Sequence, residues 1–353
     1  MRVMPEPPAT RRDRPGLGRA TLADVAREAG VAPVTASRAL HQPALVAERT
    51  RAAVQAAVER LGYIPDLIAG SLASRSSGQV AIVVPSLGTP AFMGTVRGAF
   101  DTLRARGYQA VLGDANLSAA TETALLGSLL GRRVDALILA DVADSGSARE
   151  MLRRSGVPVV ETWMLTSRPI DMNVGFSNRA AAREATRHLI ATGRRRVGMI
   201  CGPLPQNRRA RQRQLGFLDA MRAAGLASDL FAELPFPTRL ADAGAALAAL
   251  VARAPDLDAV FCSGDTFAVG ALLEAQRRGW AVPGRIAIAG LGDLDLAEQM
   301  VPAISGARVP GRRMGELAAE MIASRLAGRE PAAKIVDVGF EIVVRGSSVE
   351  GAG

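Results

Sequence analysis

The sequence has few residues that bind metals or form covalent cross-links. Its 353 residues include two cysteines, Cys201 and Cys262, and two histidines, His41 and His188. These are too few soft ligands for a structural zinc site, and they give no disulfide framework. We therefore expect no metal, and we expect both cysteines to be small buried hydrophobic residues.

Long apolar runs are also absent. Although 48% of the residues are hydrophobic, no run approaches the roughly 18 consecutive apolar residues of a membrane-spanning helix. The first 20 residues carry arginine and proline where a secretion signal would have an apolar core. We expect a cytoplasmic protein without a membrane partner.

The sequence lacks the motifs of common enzyme classes. It has no P-loop, no complete Gly-x-Gly-x-x-Gly after a strand, no Gly-x-Ser-x-Gly and no paired histidines. We therefore expect no catalytic residues and no cofactor. An enzyme that uses a nucleotide cofactor is the distant alternative, which tight NAD or ATP binding with turnover would favour.

Lysine is almost missing, yet the chain is basic. Lys334 is the only lysine, so the net charge of +9 comes almost wholly from arginine. A positive balance favours polyanionic partners through counterion release. A solvated arginine surface would give the same net charge, so the positions of motifs along the chain must distinguish the two interpretations.

Periodicity divides the chain into segments. Residues 1–20 predict a disordered basic arm, 21–65 a helical domain and 66–78 a hinge helix with a linker. Residues 79–348 alternate short apolar runs with helix-length amphipathic stretches, which predicts parallel sheets. Residues 349–353 form a tail. The predicted fold is a helical headpiece followed by an α/β core with more than one sheet.

The apolar runs and amphipathic stretches of the core give specific elements. Strands are predicted at Val80–Val84, Gln109–Leu112, Ala136–Leu139, Pro158–Glu161, Val197–Ile200, Ala259–Phe261 and Ile286–Ala289. Helices are predicted at Phe92–Arg106, Arg179–Thr192, Arg208–Ala224, Leu240–Ala254 and Thr266–Arg278.

The headpiece has the caps of three short helices. Thr21-x-x-Asp24 is a capping box, so a helix should begin at Leu22, and Gly30 should end it. Pro33 suits the first turn of a second helix, and a third should run over 48–61. The predicted inward residues are Leu22, Val25, Ala26, Ala29, Ala36, Ala39, Leu40, Val54, Val58 and Leu61.

The outward face of the second helix suits DNA. Arg38 can fork onto a guanine, Pro33 and Val34 can contact thymine methyl groups, and the hydroxyls of Thr35 and Ser37 suit phosphates. Three short helices with a tight first turn are typical of a helix-turn-helix. A small helical bundle that docks protein is the alternative.

The run from Thr21 to Leu40, followed by Leu61-Gly62-Tyr63-Ile64-Pro65, resembles the lactose/galactose repressor family of bacterial regulators. The resemblance implies a homodimer whose two second helices enter successive major grooves of double-stranded operator DNA. It places DNA contacts at Thr21, Pro33, Val34, Thr35, Ser37, Arg38, Leu45 and Leu72.

The resemblance also implies a hinge helix in which Leu72 enters the minor groove. The chain departs from the family here, because Asp66 replaces the usual asparagine and Gly70 a frequent arginine. Gly70 alone lowers helix propensity by about 1 kcal/mol relative to alanine. Ala32 and Ala47 likewise stand where the family has capping serines.

The resemblance extends through the core to Ser348. It implies two doubly wound subdomains similar to periplasmic sugar-binding proteins, with an effector in the cleft that controls DNA affinity. The implied effector positions are Ser86, Phe92, Glu161, Arg208, Arg209, Arg213, Asp265 and Asp293. An exposed charged helix face is the alternative for the arginines, and a strand-end cap and a core aromatic for Ser86 and Phe92.

The charges of these positions favour an anionic effector. Gly264-Asp265 replaces the family's Asn-Asp, and Gly290-Leu-Gly-Asp293 replaces Gly-Phe-Asp-Asp, so carboxylates are fewer. Pro85-Ser-Leu87 and Val174-Gly-Phe176 most resemble the gluconate-utilisation repressor branch. We expect a sugar acid such as gluconate to bind; the alternative is a cytosolic sugar-binding protein without DNA function.

The resemblance implies that the core forms the homodimer. Arg312-Arg-Met-Gly315 with Ala318 matches a stretch that recurs in the family's oligomer contacts. No leucine heptad follows Arg345, so we expect a dimer and not a tetramer.

Overall fold

The computed structural model describes residues 20–64, 76–141, 146–205, 207–292 and 294–351. The chain divides into two compact units between Ser77 and Gly78. Across the described residues, no helix is long and apolar enough to cross a membrane.

The first unit is the predicted three-helix headpiece. Its helices are α1 (Leu22–Glu28), α2 (Pro33–His41) and α3 (Glu48–Leu61). The capping box is confirmed: the Thr21 amide donates to Asp24 Oδ2 at 2.9 Å, and the Asp24 amide donates to Thr21 Oγ1 at 3.3 Å. The buried side chains of its core are Val25, Ala26, Ala36, Ala39, Val54 and Ala57.

One predicted inward residue of α3 lies outside this small core. Leu61 is 36% exposed, whereas Ala57, one turn earlier, is fully buried. Gly62 follows with a left-handed φ of 58° and ends the helix. The prediction for Leu61 was wrong because the helix ends there, beyond the last turn that packs on α1 and α2.

The second unit contains two mainly parallel sheets. The strands, in chain order, are β1 (Gln79–Val84), β2 (Gln109–Asp114), β3 (Ala136–Leu139), β4 (Val159–Thr162), β5 (Met172–Gly175), β6 (Val197–Cys201), β7 (Phe231–Glu233), β8 (Ala259–Cys262), β9 (Ala287–Gly292), β10 (Ser305–Arg308), β11 (Ile335–Asp337) and β12 (Glu341–Val343). The helices are α4 (Met93–Ala105), α5 (Ala119–Gly131), α6 (Gly146–Ser155), α7 (Asn178–Ala191), α8 (Arg208–Ala223), α9 (Leu240–Arg253), α10 (Asp265–Arg277), α11 (Leu296–Gln299) and α12 (Gly311–Leu326).

The sheets define two subdomains. In the amino-terminal subdomain the strand order is β11-β5-β4-β3-β1-β2, and every pair is parallel. In the carboxyl-terminal subdomain the order is β12-β10-β9-β8-β6-β7, and only β12 is antiparallel to its neighbour. The predicted α/β class and the seven predicted strands are confirmed.

The chain crosses between the two sheets three times. It leaves the first sheet after β5, returns after β10 through α12, and crosses again between β11 and β12. Strand β11 therefore completes the amino-terminal sheet from far along the sequence. Neither subdomain is a continuous stretch of chain.

Helices α4 and α12 approach each other closely at two glycines. A Cβ at Gly315 would lie 2.0 Å from the Thr95 carbonyl oxygen, and one at Gly98 would lie 2.2 Å from the Arg312 carbonyl oxygen. Only glycine permits this backbone contact. Met314 and Ala318 are fully buried within the chain, so the stretch that the sequence predicts as an oligomer contact packs internally with these two side chains.

Both cysteines are buried and free, as the sequence predicts. Cys201 belongs to the cluster on one face of the carboxyl-terminal sheet, and Cys262 to the cluster on the other. Burial raises the pKa of Cys201 to about 12 and also raises that of Cys262. Both thiols therefore stay protonated and act as small apolar side chains.

Candidate functional site

The exposed face of α2 carries the predicted base-reading residues. Pro33 and Arg38 are exposed, Val34 is 58% exposed, and Leu45 just beyond α2 is 73% exposed. Thr35 and Ser37 are half-buried. The predicted base-reading side chains are therefore accessible from solvent.

Arg38 differs from most arginines of the headpiece. Arg27 pairs with Asp24, Arg51 with Glu48, and Arg60 with Glu28. The guanidinium of Arg38 makes no hydrogen bond or ion pair with any residue that the structure describes. Its five N–H donors are therefore available to a nucleic acid base or phosphate.

Two further headpiece positions, Thr21 and Arg49, differ in their contacts. The Thr21 hydroxyl donates to Asp24 Oδ2 at 2.6 Å, so its first role is to cap α1. Arg49 in the first turn of α3 is exposed, and its side chain has no partner among the described residues. Arg49 is not among the predicted DNA contacts, although a cation beside a helix amino terminus suits a phosphate. Leu72, Asp66 and Gly70 lie outside the described residues.

The second site is a cavity of about 170 Å³ between the two subdomains, here called the central cavity. It lies where the carboxyl ends of strands from both sheets face each other, the usual ligand site of open α/β sheets. The predicted effector residues that line it are Ser86, Phe92, Arg209, Arg213 and Asp265. Glu161 and Arg208 are not among its lining residues, and Asp293 lies outside the described residues.

Arg213 is positioned by the packing of α8 on α7. A Cβ at Gly216 would lie 2.1 Å from the Arg179 carbonyl oxygen, so glycine allows the helices to touch. Arg213 Nε then donates to Asn178 Oδ1 at 2.8 Å, and Nη1 donates to the Ser263 carbonyl oxygen. Nη2 has no hydrogen bond to the described chain and remains for a ligand.

Desolvation disfavours the charge of Arg213. Burial, and then the neighbouring charge of Arg209, lower the pKa of Arg213 to about 9, while Asp265 and Asp141 oppose this. The residue is therefore still charged at neutral pH. A cation that has lost hydration and lies beside a second cation gains most from a bound anion.

Arg209 is the more deeply buried of the two arginines. It is only 5% exposed, and its guanidinium carbon lies 4.6 Å from the centre of the Phe92 ring. Nε is 3.1 Å from Asp141 Oδ2, but the geometry is not that of a hydrogen bond and Nε is left without one. Burial lowers the pKa of Arg209, and Asp141 raises it. Two residues of the amino-terminal subdomain therefore hold Arg209, Phe92 by stacking and Asp141 by charge attraction.

Asp265 is the only carboxylate among the described residues that line the central cavity. It begins α10, and its Oδ2 accepts a hydrogen bond from the Leu294 amide at 2.8 Å. The carboxylate is therefore turned toward the end of β9.

The structure adds Trp163, which is not among the predicted effector residues. Its backbone has a left-handed φ of 65°, unusual for a bulky residue and costing about 1–3 kcal/mol. Trp163 Nε1 donates to Thr95 Oγ1 at 2.9 Å, and Asn178 Nδ2 donates to its carbonyl oxygen at 2.7 Å. Its ring packs edge-on at 5.0 Å from Phe92. The two rings form an apolar wall of the cavity.

Three predicted effector residues have structural partners. Glu161 is fully buried, pairs with Arg149 Nη1 at 2.9 Å and accepts from the Ile170 amide at 2.8 Å. Ser86 lines the cavity but also caps the turn after β1, because its Oγ accepts from the Gly88 amide at 3.0 Å. Arg208 is half-buried at the first position of α8 and also has a partner within the chain.

The chain is similar to known regulators over most of its length. A model of bacterial regulatory proteins of the lacI family matches residues 21–66, and one of a periplasmic binding protein-like domain matches residues 186–348. The chain is 39% identical to the HTH-type transcriptional regulator GntR of Pseudomonas aeruginosa over 332 residues, which cover 94% of this chain and 96% of that protein.

Solved structures of regulators are also similar to this chain. A LacI family transcriptional regulator from Silicibacter pomeroyi matches with a TM-score of 0.87 and 32% identity, covering 93% of this chain and 99% of that one. A cellobiose complex of the transcriptional regulator CelR matches with a TM-score of 0.67 and 31% identity, covering 93% and 100%. These relatives are named as regulators, in agreement with the expectation that the chain is not an enzyme.

Proposed function

Because the chain belongs to the LacI family of bacterial regulatory proteins, we propose that it is a cytoplasmic repressor whose operator affinity is set by a sugar acid in the central cavity. The single observation that supports an acid is the pair Arg209 and Arg213. Both are desolvated cations at one cavity. Asp141, which lies outside the described lining, pairs with Arg209. The lining carboxylate Asp265 forms no ion pair with Arg213, so the charge of Arg213 is the one left for an anion.

The DNA-binding surface of the proposal is the exposed face of α2. Arg38 is the base-reading residue, because its guanidinium is unpaired and can donate to both acceptors of a guanine edge. Pro33 and Val34 contact neighbouring bases, and Thr35 and Ser37 contact phosphates. Two headpieces of a homodimer read the two halves of the operator.

The DNA assignment is tested by selecting binding sites from random duplexes. Arg38→Ala should weaken binding by about 1–3 kcal/mol per half-site and lose the preference at one base pair. Arg60→Ala is the matched control, because Arg60 is an arginine of the same unit that is paired with Glu28. An unchanged base preference in the Arg38 variant would exclude the role.

The effector assignment uses a pair of probes that differ only at one end. D-gluconate carries a carboxylate where D-glucitol carries a hydroxymethyl group, so the difference in their affinities isolates the charge. Bidentate pairing with an arginine should favour D-gluconate by tenfold or more, on the order of 1.5–3 kcal/mol. Gluconate should also change operator affinity.

A neutral sugar is the second candidate effector. The wall of Phe92 and Trp163 offers apolar surface to a sugar ring, and the similar CelR structure is a complex with cellobiose. Thermal shift with D-gluconate, D-glucitol and cellobiose separates the two. Stabilisation by a neutral probe alone would contradict the acid.

A further inference from the structure

The carboxylate of Asp265 rests in a cradle formed by two glycines of β9. A Cβ at Gly292 would lie 2.3 Å from Asp265 Oδ2 and 2.8 Å from its Cγ. A Cβ at Gly290 would lie 3.0 Å from Oδ1. Since real Cβ atoms do not approach this closely, any side chain at 292 would occupy the space that the carboxylate now fills.

The cradle decides where the negative charge of the cavity lies. Asp265 Oδ2 is held by the Leu294 amide at 2.8 Å, on the side of β9. Arg213 is close enough to respond to this charge, yet the structure shows no ion pair between them. The donors of Arg213 that face the cavity are thus not used by the protein's own acid.

We propose that Gly292 is a specificity-determining residue, which selects an anionic ligand by giving the Asp265 carboxylate a place away from Arg213. This inference rests on the proposed function. A side chain at 292 would expel the carboxylate from the cradle, and the positive field of Arg209 and Arg213 would draw it toward them. It would then compete with an anionic ligand and present acceptors to a neutral polyol.

The test measures the affinities of D-gluconate and D-glucitol by calorimetry for the full chain. Gly292→Ala should weaken gluconate by about tenfold or more, the coupling expected between groups in contact, and should not weaken glucitol. Gly131→Ala is the matched control, because a Cβ at Gly131 meets nothing within 4 Å. Equal losses for both probes would overturn the inference.

A double variant separates the carboxylate from a backbone effect. If Gly292→Ala acts by expelling Asp265, then Asp265→Ala combined with Gly292→Ala should bind gluconate as well as Asp265→Ala alone. If the second substitution costs as much with the carboxylate removed as with it present, the backbone is responsible and the inference is wrong. A native protein that binds no sugar acid overturns the proposed function as well, whereas native binding unchanged in Gly292→Ala overturns this inference alone.

A crystal structure of ligand-free Gly292→Ala gives a readout independent of affinity. The expected result is that Asp265 Oδ2 leaves the Leu294 amide and approaches Arg213. A carboxylate that stays on the amide would overturn the inference. A thermal transition of the core close to that of the native chain shows that the variant is folded in solution.

Discussion

Arg209 is a charged residue that is almost wholly buried. Its contacts within the protein are stacking on a ring and attraction to a carboxylate. It reaches from α8 across the central cavity to Phe92 and Asp141, which belong to the facing subdomain. A buried guanidinium with incomplete hydrogen bonding is costly unless a further partner is bound. A ligand carboxylate is such a partner, and it would compete with Asp141 for the same group.

Replacement of Arg209 by methionine tests this role. Arg209→Met keeps an unbranched side chain against Phe92 but removes the charge. We expect gluconate affinity to fall by about 10- to 100-fold, the loss of a charge-assisted hydrogen bond, while glucitol affinity changes little. Calorimetry measures both values.

The control for Arg209 is an exposed arginine. Arg104→Met removes a pair with Asp101 at the surface, so neither probe should respond. Unchanged gluconate affinity in Arg209→Met would show that the carboxylate lies elsewhere.

The sequence identified five residues of the cavity lining, including Phe92, but not Trp163, the second ring of the aromatic wall. The sequence identified Arg209, Arg213 and Asp265 because charged residues at a family motif can be recognised without knowledge of the fold. Trp163 was missed because its role depends on a left-handed turn after β4 and on contacts with residues distant in sequence. Glu161 was placed in the pocket, but Arg149, 12 residues earlier and on α6, engages it.

Among the elements, α1 depends on a cap that is exposed and titratable. The Thr21 hydrogen bonds, from the side chain first, lower the pKa of Asp24 below its ordinary value of 3.8. A carboxyl whose pKa is lowered in the folded state stabilises that state above its unfolded pKa. The contribution is therefore complete near neutral pH and is lost as the pH falls through the lowered pKa.

Thr21→Ala removes the side-chain half of this cap. It should lower the free energy of unfolding of the headpiece by about 1 kcal/mol near neutral pH, and the difference from the native protein should shrink in acid below the ordinary pKa of Asp24. Urea unfolding at several pH values, followed by far-UV circular dichroism, measures this. A difference that does not depend on pH would argue against the reciprocal Asp24 bond.

The contact of α4 with α12 is backbone on backbone. Gly315→Ala would place a methyl group 2.0 Å from the Thr95 carbonyl oxygen, and no side chain can move to relieve it. We expect a loss of about 3 kcal/mol in the free energy of unfolding of the core, the upper end of the cost of overpacking. The same substitution at Gly131 meets open space and should cost nothing. Equal effects in the two variants would contradict the close approach.

Element prediction succeeded where the pattern is local. Six of the seven predicted strands have five or more residues or are wholly apolar, β4 being the exception, while α1 begins at a capping box and α3 ends at Gly62. Strands β5, β7, β10, β11 and β12 were missed. They have three or four residues each, and β10 reads Ser-Gly-Ala-Arg, so pairing with neighbours makes them strands where propensity does not.

For the whole molecule, the division at Gly78 has a thermodynamic consequence. Two compact units with separate cores unfold as separate cooperative transitions. In a calorimetric scan of the full chain, gluconate should raise the midpoint of the core transition and operator DNA that of the headpiece transition. A single transition that both ligands shift equally would show one cooperative unit.

The crossing connections bear on synthesis at the ribosome. The amino-terminal sheet needs β11, and α12 must pack on α4, so this subdomain cannot close until residue 337 has left the exit tunnel. The headpiece has no such requirement and can fold as soon as Gly62 emerges. A nascent chain therefore carries a folded DNA-binding module long before it has a completed ligand site. Repression by unfinished protein is limited by how tightly one headpiece alone binds. This limit favours an operator with two half-sites, each of which must be bound by a headpiece.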